Sequence, residues 1–311
     1  MRVHTETVQP GLFDRLVEIG RDSAAVVTSA PSIEAEPETL YDRHGVLVVR
    51  VGDLAVKAHQ ADREHGAPFL ERIRLAATVP DVLVAPLGPP LDVDGRTVTV
   101  YPYGEPVDPQ QNLPWEEGAR LLAALHSTTV LAEAPSWGRP ARVARRVSEL
   151  GHGPAQDEVR RAFATLPAWI RGDGDGTPET PGTAECLIHG DWHLGQMVRT
   201  QDRRWRLIDI EDLGRGDPAW DLARPAALYS AGVLDPAEWG RFLGAYQEAG
   251  GPAVPAEGDP WTALDVPARS LAIQIAATCV ISAEREDRPL DGPEQAMVDA
   301  CGRISAAGDA A

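Results

Sequence analysis

Between Ile188 and Asp221 the chain reads IHGDWHLGQMVRTQDRRWRLIDIEDLGRGDPAWD. His189, Asp191, His193, Gln196, Asp209 and Glu211 all carry groups able to bind a metal ion or move a proton, and short apolar runs separate them. A few convergent polar groups set against apolar sequence mark a site more often than a solvated surface. Asp209 and Glu211 follow Asp191 by 18 and 20 residues, the separation of two strand-end loops joined by a hairpin. Carboxylates with an amide oxygen suit a hard Mg²⁺ ion of a nucleotide centre. The pattern His189-x-Asp191-x-His193 instead suits the zinc or di-metal site of a hydrolase.

The segments on either side must position these groups. Residues 1–20 read as an amphipathic helix with Leu12, Leu16 and Ile19 on one side. Short β-type runs follow at Ala24–Thr28, Thr39–Tyr41, Val46–Val51 and Leu54–Ala58, the last two joined by Gly52-Asp53 as a tight hairpin. A helix is expected within Ala61–Thr78, ended by Pro80, then strands at Val82–Val84, Leu91–Val93 and Arg96–Tyr101, with Asp94-Gly95 as a turn. Tyr101-Pro102-Tyr103-Gly104-Glu105-Pro106 breaks regular structure and reads as a hinge.

Beyond the hinge the pattern turns helical. Pro114 with Glu116 and Glu117 starts a helix whose apolar face holds Leu121, Leu122 and Leu125. A second helix is expected over Ala155–Ile170 and a loop over Arg171–Thr183, then a strand and loop at Glu185–Asp191 and hairpin strands at Gln196–Arg199 and Trp205–Ile210. Helices close the chain near Pro218–Ser230, Pro236–Ala249, Trp261–Glu286 and Pro293–Ala306. The predicted fold is α+β: a small antiparallel β-lobe with one helix over 1–103, hinge included, then a mainly helical lobe over 104–311 carrying a catalytic β-hairpin.

Composition narrows the function classes. A formal charge of −18 leaves no basic stripe for nucleic acid and no attraction to an anionic membrane surface. The acidity favours a cationic partner or simply serves solubility. The N-terminus shows no apolar segment after a basic cluster, and no apolar run approaches about 18 residues, so a cytoplasmic location is expected. Cys186, Cys279 and Cys301 are odd in number and far apart, as reduced thiols are. Of the 29 basic residues only Lys57 is lysine, so Lys57 stands where arginine would not serve.

His189-Gly190-Asp191-x-His193-x-x-Gln196, Ile208-Asp209-Ile210-Glu211 and Gly216-Asp217-Pro218-x-x-Asp221-Leu222-Ala223, in that order, resemble the aminoglycoside phosphotransferase and choline kinase-like family, which has a protein-kinase-like fold. Lys57 in LAVKAH resembles the family's third-strand lysine, Arg63-Glu64 its Arg-Glu helix pair, and Leu122–His126 its LAxLH helix. The chain departs from the pattern at Gln196, where asparagine is usual; HGDxHLGQ is similar to the bacterial maltokinase and glucosamine kinase branch. No GxGxxG loop is present, and Ser29-Ala30-Pro31-Ser32 occupies its place.

The resemblance implies a kinase moving the γ-phosphate of ATP, or of GTP, to a hydroxyl of an aminoglycoside, amino sugar or related sugar-like acceptor. Asp191 would accept the hydroxyl proton. Lys57, held by Glu64 or by Glu71, would meet the phosphates, with Tyr101 and Tyr103 of the hinge at the nucleotide. Gln196 and Asp209 would hold Mg²⁺, joined by Glu211 as a second or water-mediated ligand. His189 would brace the catalytic loop and Asp221 would anchor it. Trp192 is a candidate for stacking on a sugar, and Glu284 and Arg288, in a run similar to an E-x-x-x-R-P tail, for acceptor contacts. The chain would act as a monomer or homodimer, without nucleic acid or membrane. The alternatives are a metal-dependent hydrolase built on His189, Asp191 and His193, or an inactive nucleotide-binding scaffold.

Overall fold

The computed structural model describes residues 11–27, 36–61, 66–129, 134–173 and 186–308. The chain divides into two compact units, one of Met1–Leu113 with Gly195–Glu211, the other of Pro114–Leu194 with Asp212–Ala311. The division falls after Leu113 rather than after residue 103, and the predicted catalytic hairpin groups with the first unit.

In the first unit, helix α1 (Leu12–Val27) covers a five-stranded antiparallel sheet. The strands are β1 (Glu38–Arg43), β2 (Val46–Val51), β3 (Leu54–Ala58), β4 (Leu91–Val93) and β5 (Arg96–Pro102), in the order β1-β2-β3-β5-β4. Two-residue turns set the registers. His44-Gly45 and Asp94-Gly95 both take positive φ, which matches the twist of the flanking strands. Strand alternation then sorts the side chains. Val49, Val51, Val56 and Ala58 are buried with Leu12, Leu16 and Val17 of α1. Each large member stabilises the unit by about 1.5–3 kcal/mol. Lys57, between Val56 and Ala58, points to the opposite face.

Helix α2 (Ala67–Thr78) and the two-residue strand β6 (Glu105–Pro106) complete the first stretch. Residues 82–84 form no strand, because Leu83 makes a single parallel bridge to Leu207. The expected strand at Ala24–Thr28 is also overturned, since α1 runs on through Val27 and Thr28 lies outside the described residues. Small Gly20 lets α1 approach β2, and the alanine and valine content carried both helical and strand signals.

The second unit holds α3 (Trp115–His126), α4 (Arg139–Ser148), α5 (Pro154–Ala164) and α6 (Ala168–Arg171), then the short strand β7 (Cys186–Ile188). The hairpin β8 (Met197–Arg199) and β9 (Trp205–Leu207) belongs to the first unit, where β8 pairs with β6. Strand β10 (Gly214–Gly216) pairs with β7, and α7 (Ala223–Ser230), α8 (Pro236–Glu248), α9 (Trp261–Arg285) and α10 (Gly292–Gly308) follow. Pro167 splits the single helix expected over Ala155–Ile170 into α5 and α6. Helix α4 was not expected, because its arginines hide the apolar face of Val143 and Val147.

Helix α9 spans 25 residues and is apolar enough to cross a membrane by length and composition, unlike the sequence expectation. Its apolar positions are instead the core of the second unit. Leu271, Ile273, Ala276 and Ala277 are buried among residues of α4, α5, α7 and α10.

Candidate active site

The first unit gathers a charged cluster on the face of β3 opposite α1. Lys57 pairs in register with Thr99, and Ala55 with Tyr101, so their side chains share one face. Lys57 Nζ lies 3.0 Å from Asp209 Oδ1 and 2.6 Å from Glu211 Oε1. Burial disfavours the ammonium, but the carboxylates of Asp209 and Glu211 outweigh it and hold the lysine above its ordinary range. Burial pushes the neighbouring Tyr101 phenol up to about 12.

Asp209 adopts a left-handed conformation with φ 64°, uncommon outside glycine and tolerated best by Asp and Asn. Such strain persists where surrounding contacts over-determine it. Here Lys57 takes one carboxylate oxygen, and the amide of Gln196 donates to the other across 3.0 Å. Asp209 and Gln196 present carboxylate and amide oxygen chemistry of the kind Mg²⁺ prefers. Among the described residues no group of three or more His, Cys, Asp or Glu side chains is placed to hold an ion. A hard ion there would take its remaining oxygens from phosphate and water, the usual arrangement for nucleotide-bound Mg²⁺.

Glu211, expected as a second or water-mediated metal ligand, is 7% exposed, and its Oε1 faces His59 Nδ1 at 2.6 Å as well as Lys57. Its carboxylate is engaged inward, because the turn after Asp209 buries it under β3. Glu64 lies outside the described residues, as does Ser29–Ser32. Glu71 bonds Arg74 at 3.0 Å. Tyr101 packs with Val84 and Val198, and Tyr103 stacks under the Arg50 guanidinium at 3.8 Å from the ring centre.

The second unit gathers another cluster around the loop after β7. Asp221, 1% exposed, receives the backbone N–H of His189 at 2.6 Å and of Gly190 at 2.8 Å. It also receives His126 Nε2–H at 3.1 Å. Tyr246 accepts the Ala253 N–H at 3.0 Å, and its hydroxyl lies 2.7 Å from His126 Nδ1. Burial alone would raise the Asp221 carboxyl, yet the His126 hydrogen bond, the nearby histidines and the His189 amide hold it below the usual range.

This anchoring fixes the shape of the loop. Gly190 takes φ 83°, and a Cβ there would meet the Asp212 carbonyl oxygen at 2.5 Å and Trp137 at 2.9 Å. Asp191 follows, half-buried, with Oδ1 receiving Arg224 Nη2 at 2.9 Å and Oδ2 lying 3.8 Å from Arg142 Nη1. Arg142 is also paired with Asp212. The Asp191 backbone N–H is 3.4 Å from His189 Nδ1.

His189 is fully buried and faces the loop backbone, which gives the hydrolase alternative no metal-facing imidazole pair. Trp192 was a candidate for stacking on a sugar, but it is 1% exposed and stacks on Phe242 at 5.2 Å, a core position. Glu284 receives the Gln156 amide of α5. Arg288, the other predicted acceptor contact, grips Glu294 at 2.6 and 2.8 Å, a bidentate pair at the start of α10.

Sequence reasoning missed His59, Arg142 and Arg224. His59 had a usable signal, standing two residues after Lys57 on the same strand face. Arg224 lies three residues beyond Asp221, one helical turn along. Arg142 sat in a helix that periodicity did not reveal.

Solved structures of known proteins share this fold. A choline/ethanolamine kinase family protein from Mesorhizobium loti is 19% identical, with a TM-score of 0.57 and 94% of each chain covered. A microcompartment-associated aminopropanol kinase is 17% identical, with a TM-score of 0.58 over 94% of this chain and 96% of that one. Spectinomycin phosphotransferase in complex with ADP and spectinomycin is 13% identical, with a TM-score of 0.58 over 97% and 99%. No curated protein matches by sequence. The class is therefore the two-lobed, protein-kinase-like fold of these phosphotransferases. A model of the phosphotransferase enzyme family matches residues 29–261, and the chain belongs to that family.

Proposed function

We propose that this phosphotransferase moves the γ-phosphate of a Mg-nucleotide, ATP or GTP, to a hydroxyl of a small polar acceptor of the aminoglycoside, amino sugar or related sugar class. The observation that carries this reading is the Lys57–Asp209 pair, with Gln196 on the other oxygen of Asp209. Phosphoryl transfer asks little covalent chemistry of a protein and much positioning and charge. Lys57 would meet nucleotide phosphates as a compact cation. Gln196 and Asp209 would hold Mg²⁺, which when bound offsets charge on the transferring group.

Asp191 would orient the acceptor hydroxyl and take its proton. The loop that carries it is tied to Asp221 by two backbone hydrogen bonds, which supports a fixed carboxylate at that position. A cytoplasmic protein, monomeric or dimeric, is consistent with this chemistry. The similarity to spectinomycin phosphotransferase and to choline and aminopropanol kinases supports an amine-bearing alcohol as acceptor.

Thermal-shift titration tests the nucleotide half. ATP or GTP with Mg²⁺ is expected to raise Tm with concentration by mass action on the folded state. A panel of amino alcohols, amino sugars and aminoglycosides, read by mass spectrometry for one added phosphate, tests the acceptor half. No stabilisation by either nucleotide would overturn the reading.

A further inference from the structure

One oxygen of Glu211 serves two donors, one from β3 and one just past its end. Lys57 Nζ and His59 Nδ1 each lie 2.6 Å from Glu211 Oε1. His59 is fully buried, its other nitrogen Nε2 is 2.8 Å from Thr99 Oγ1, and its ring meets Phe69 of α2 edge-on at 5.0 Å.

The chemistry of the three groups fixes the proton. A carboxylate can only accept, so the Nδ1 hydrogen of His59 points to Glu211 and Nε2 keeps a lone pair. The Thr99 hydroxyl donates to that lone pair. Burial holds His59 below its ordinary pKa, against the pull of Glu211, which keeps the ring in this uncharged form. A buried carboxylate left with one partner could swing. Held from both sides, it fixes the lysine on the side where Asp209 also pairs.

We propose that His59, acting through Glu211, is a positioning residue that sets the Lys57 ammonium for nucleotide phosphates. The inference rests on the nucleotide reading above and gives Glu211 a role other than metal ligation. The alternative is that His59 only fills the space between β3 and α2.

Isothermal titration of MgATP into the full-length protein separates these possibilities without an acceptor. His59→Phe keeps an aromatic ring and loses the hydrogen bonds to Glu211 and Thr99, and is expected to weaken Kd by about tenfold, the worth of one hydrogen bond to a charged group. His59→Asn, whose amide can still donate to Glu211, is expected to recover much of that loss. Glu211→Met is expected to weaken binding by itself, and adding His59→Phe to it should change Kd no further, since the path from His59 is already cut. Thr99→Val, a milder change at the other nitrogen, should weaken binding in the same direction and serves if His59→Phe does not fold. Unchanged Kd in His59→Phe and Thr99→Val, or losses that add in the double variant, would overturn the proposal. Failure of the unmodified protein to bind MgATP or MgGTP would overturn the phosphotransfer reading beneath it.

Discussion

The Arg224 guanidinium donates from Nη2 to Asp191 Oδ1 across 2.9 Å, reaching from α7 to the loop after β7. Such a charge-assisted bond holds the carboxylate in one orientation. Phosphoryl transfer rewards orientation, because the acceptor proton is lost with little demand on base strength. Arg224→Met is therefore expected to lower kcat by about 10- to 100-fold, the cost of a misplaced reacting group, while leaving the nucleotide KM near that of the unmodified protein. Arg224→Lys should recover part of it. Steady-state kinetics check this, and a kcat unchanged in Arg224→Met would remove Arg224 from the account.

Asp221 makes acid stability a local property. Its native carboxyl titrates below the ordinary aspartate value near 3.8. A depressed native value stabilises the fold fully above the unfolded pKa, and this contribution fades as pH falls through the native one. Urea unfolding between pH 6 and pH 2 should show a steeper loss below about pH 4 than Asp221→Asn shows. At neutral pH the variant is expected to be less stable by about 3–5 kcal/mol, because it leaves buried donors poorly matched. Parallel acid limbs in the two proteins would contradict the assignment.

Gly190 and Gly232 share positive φ but not surroundings. At Gly232 nothing lies within 4 Å of an added Cβ, whereas at Gly190 the Asp212 carbonyl oxygen stands at 2.5 Å. Gly232→Ala should cost only the backbone strain, about 1–3 kcal/mol. Gly190→Ala should cost more, since it must also displace backbone beside Asp191. Equal Tm losses in the two variants would show that the loop gives way freely.

Much of the fold was legible in the sequence, and the gaps have physical causes. Alternation with turn residues gave β2 and β3 to the residue, because one face packs on α1 and the other carries Lys57. Helix α4 escaped because a short apolar stripe sits among arginines. Asp221 was singled out through the resemblance, and it receives the backbone N–H groups of His189 and Gly190. The burial of Glu211 and of Trp192 was not legible in the sequence, for one reason. Spacing reports that a residue is near a turn, but which side of the turn faces the core is set by tertiary packing.

Mass-spectrometric transfer assays of Asp191→Asn against the unmodified protein test the central claim most directly, using the acceptor that the panel identifies and titrating MgATP binding in parallel. Asparagine keeps the size of the side chain and removes the charge that accepts the hydroxyl proton. The expected result is loss of phosphate transfer with MgATP binding retained; turnover near that of the unmodified protein would place the catalytic carboxylate elsewhere and contradict the account.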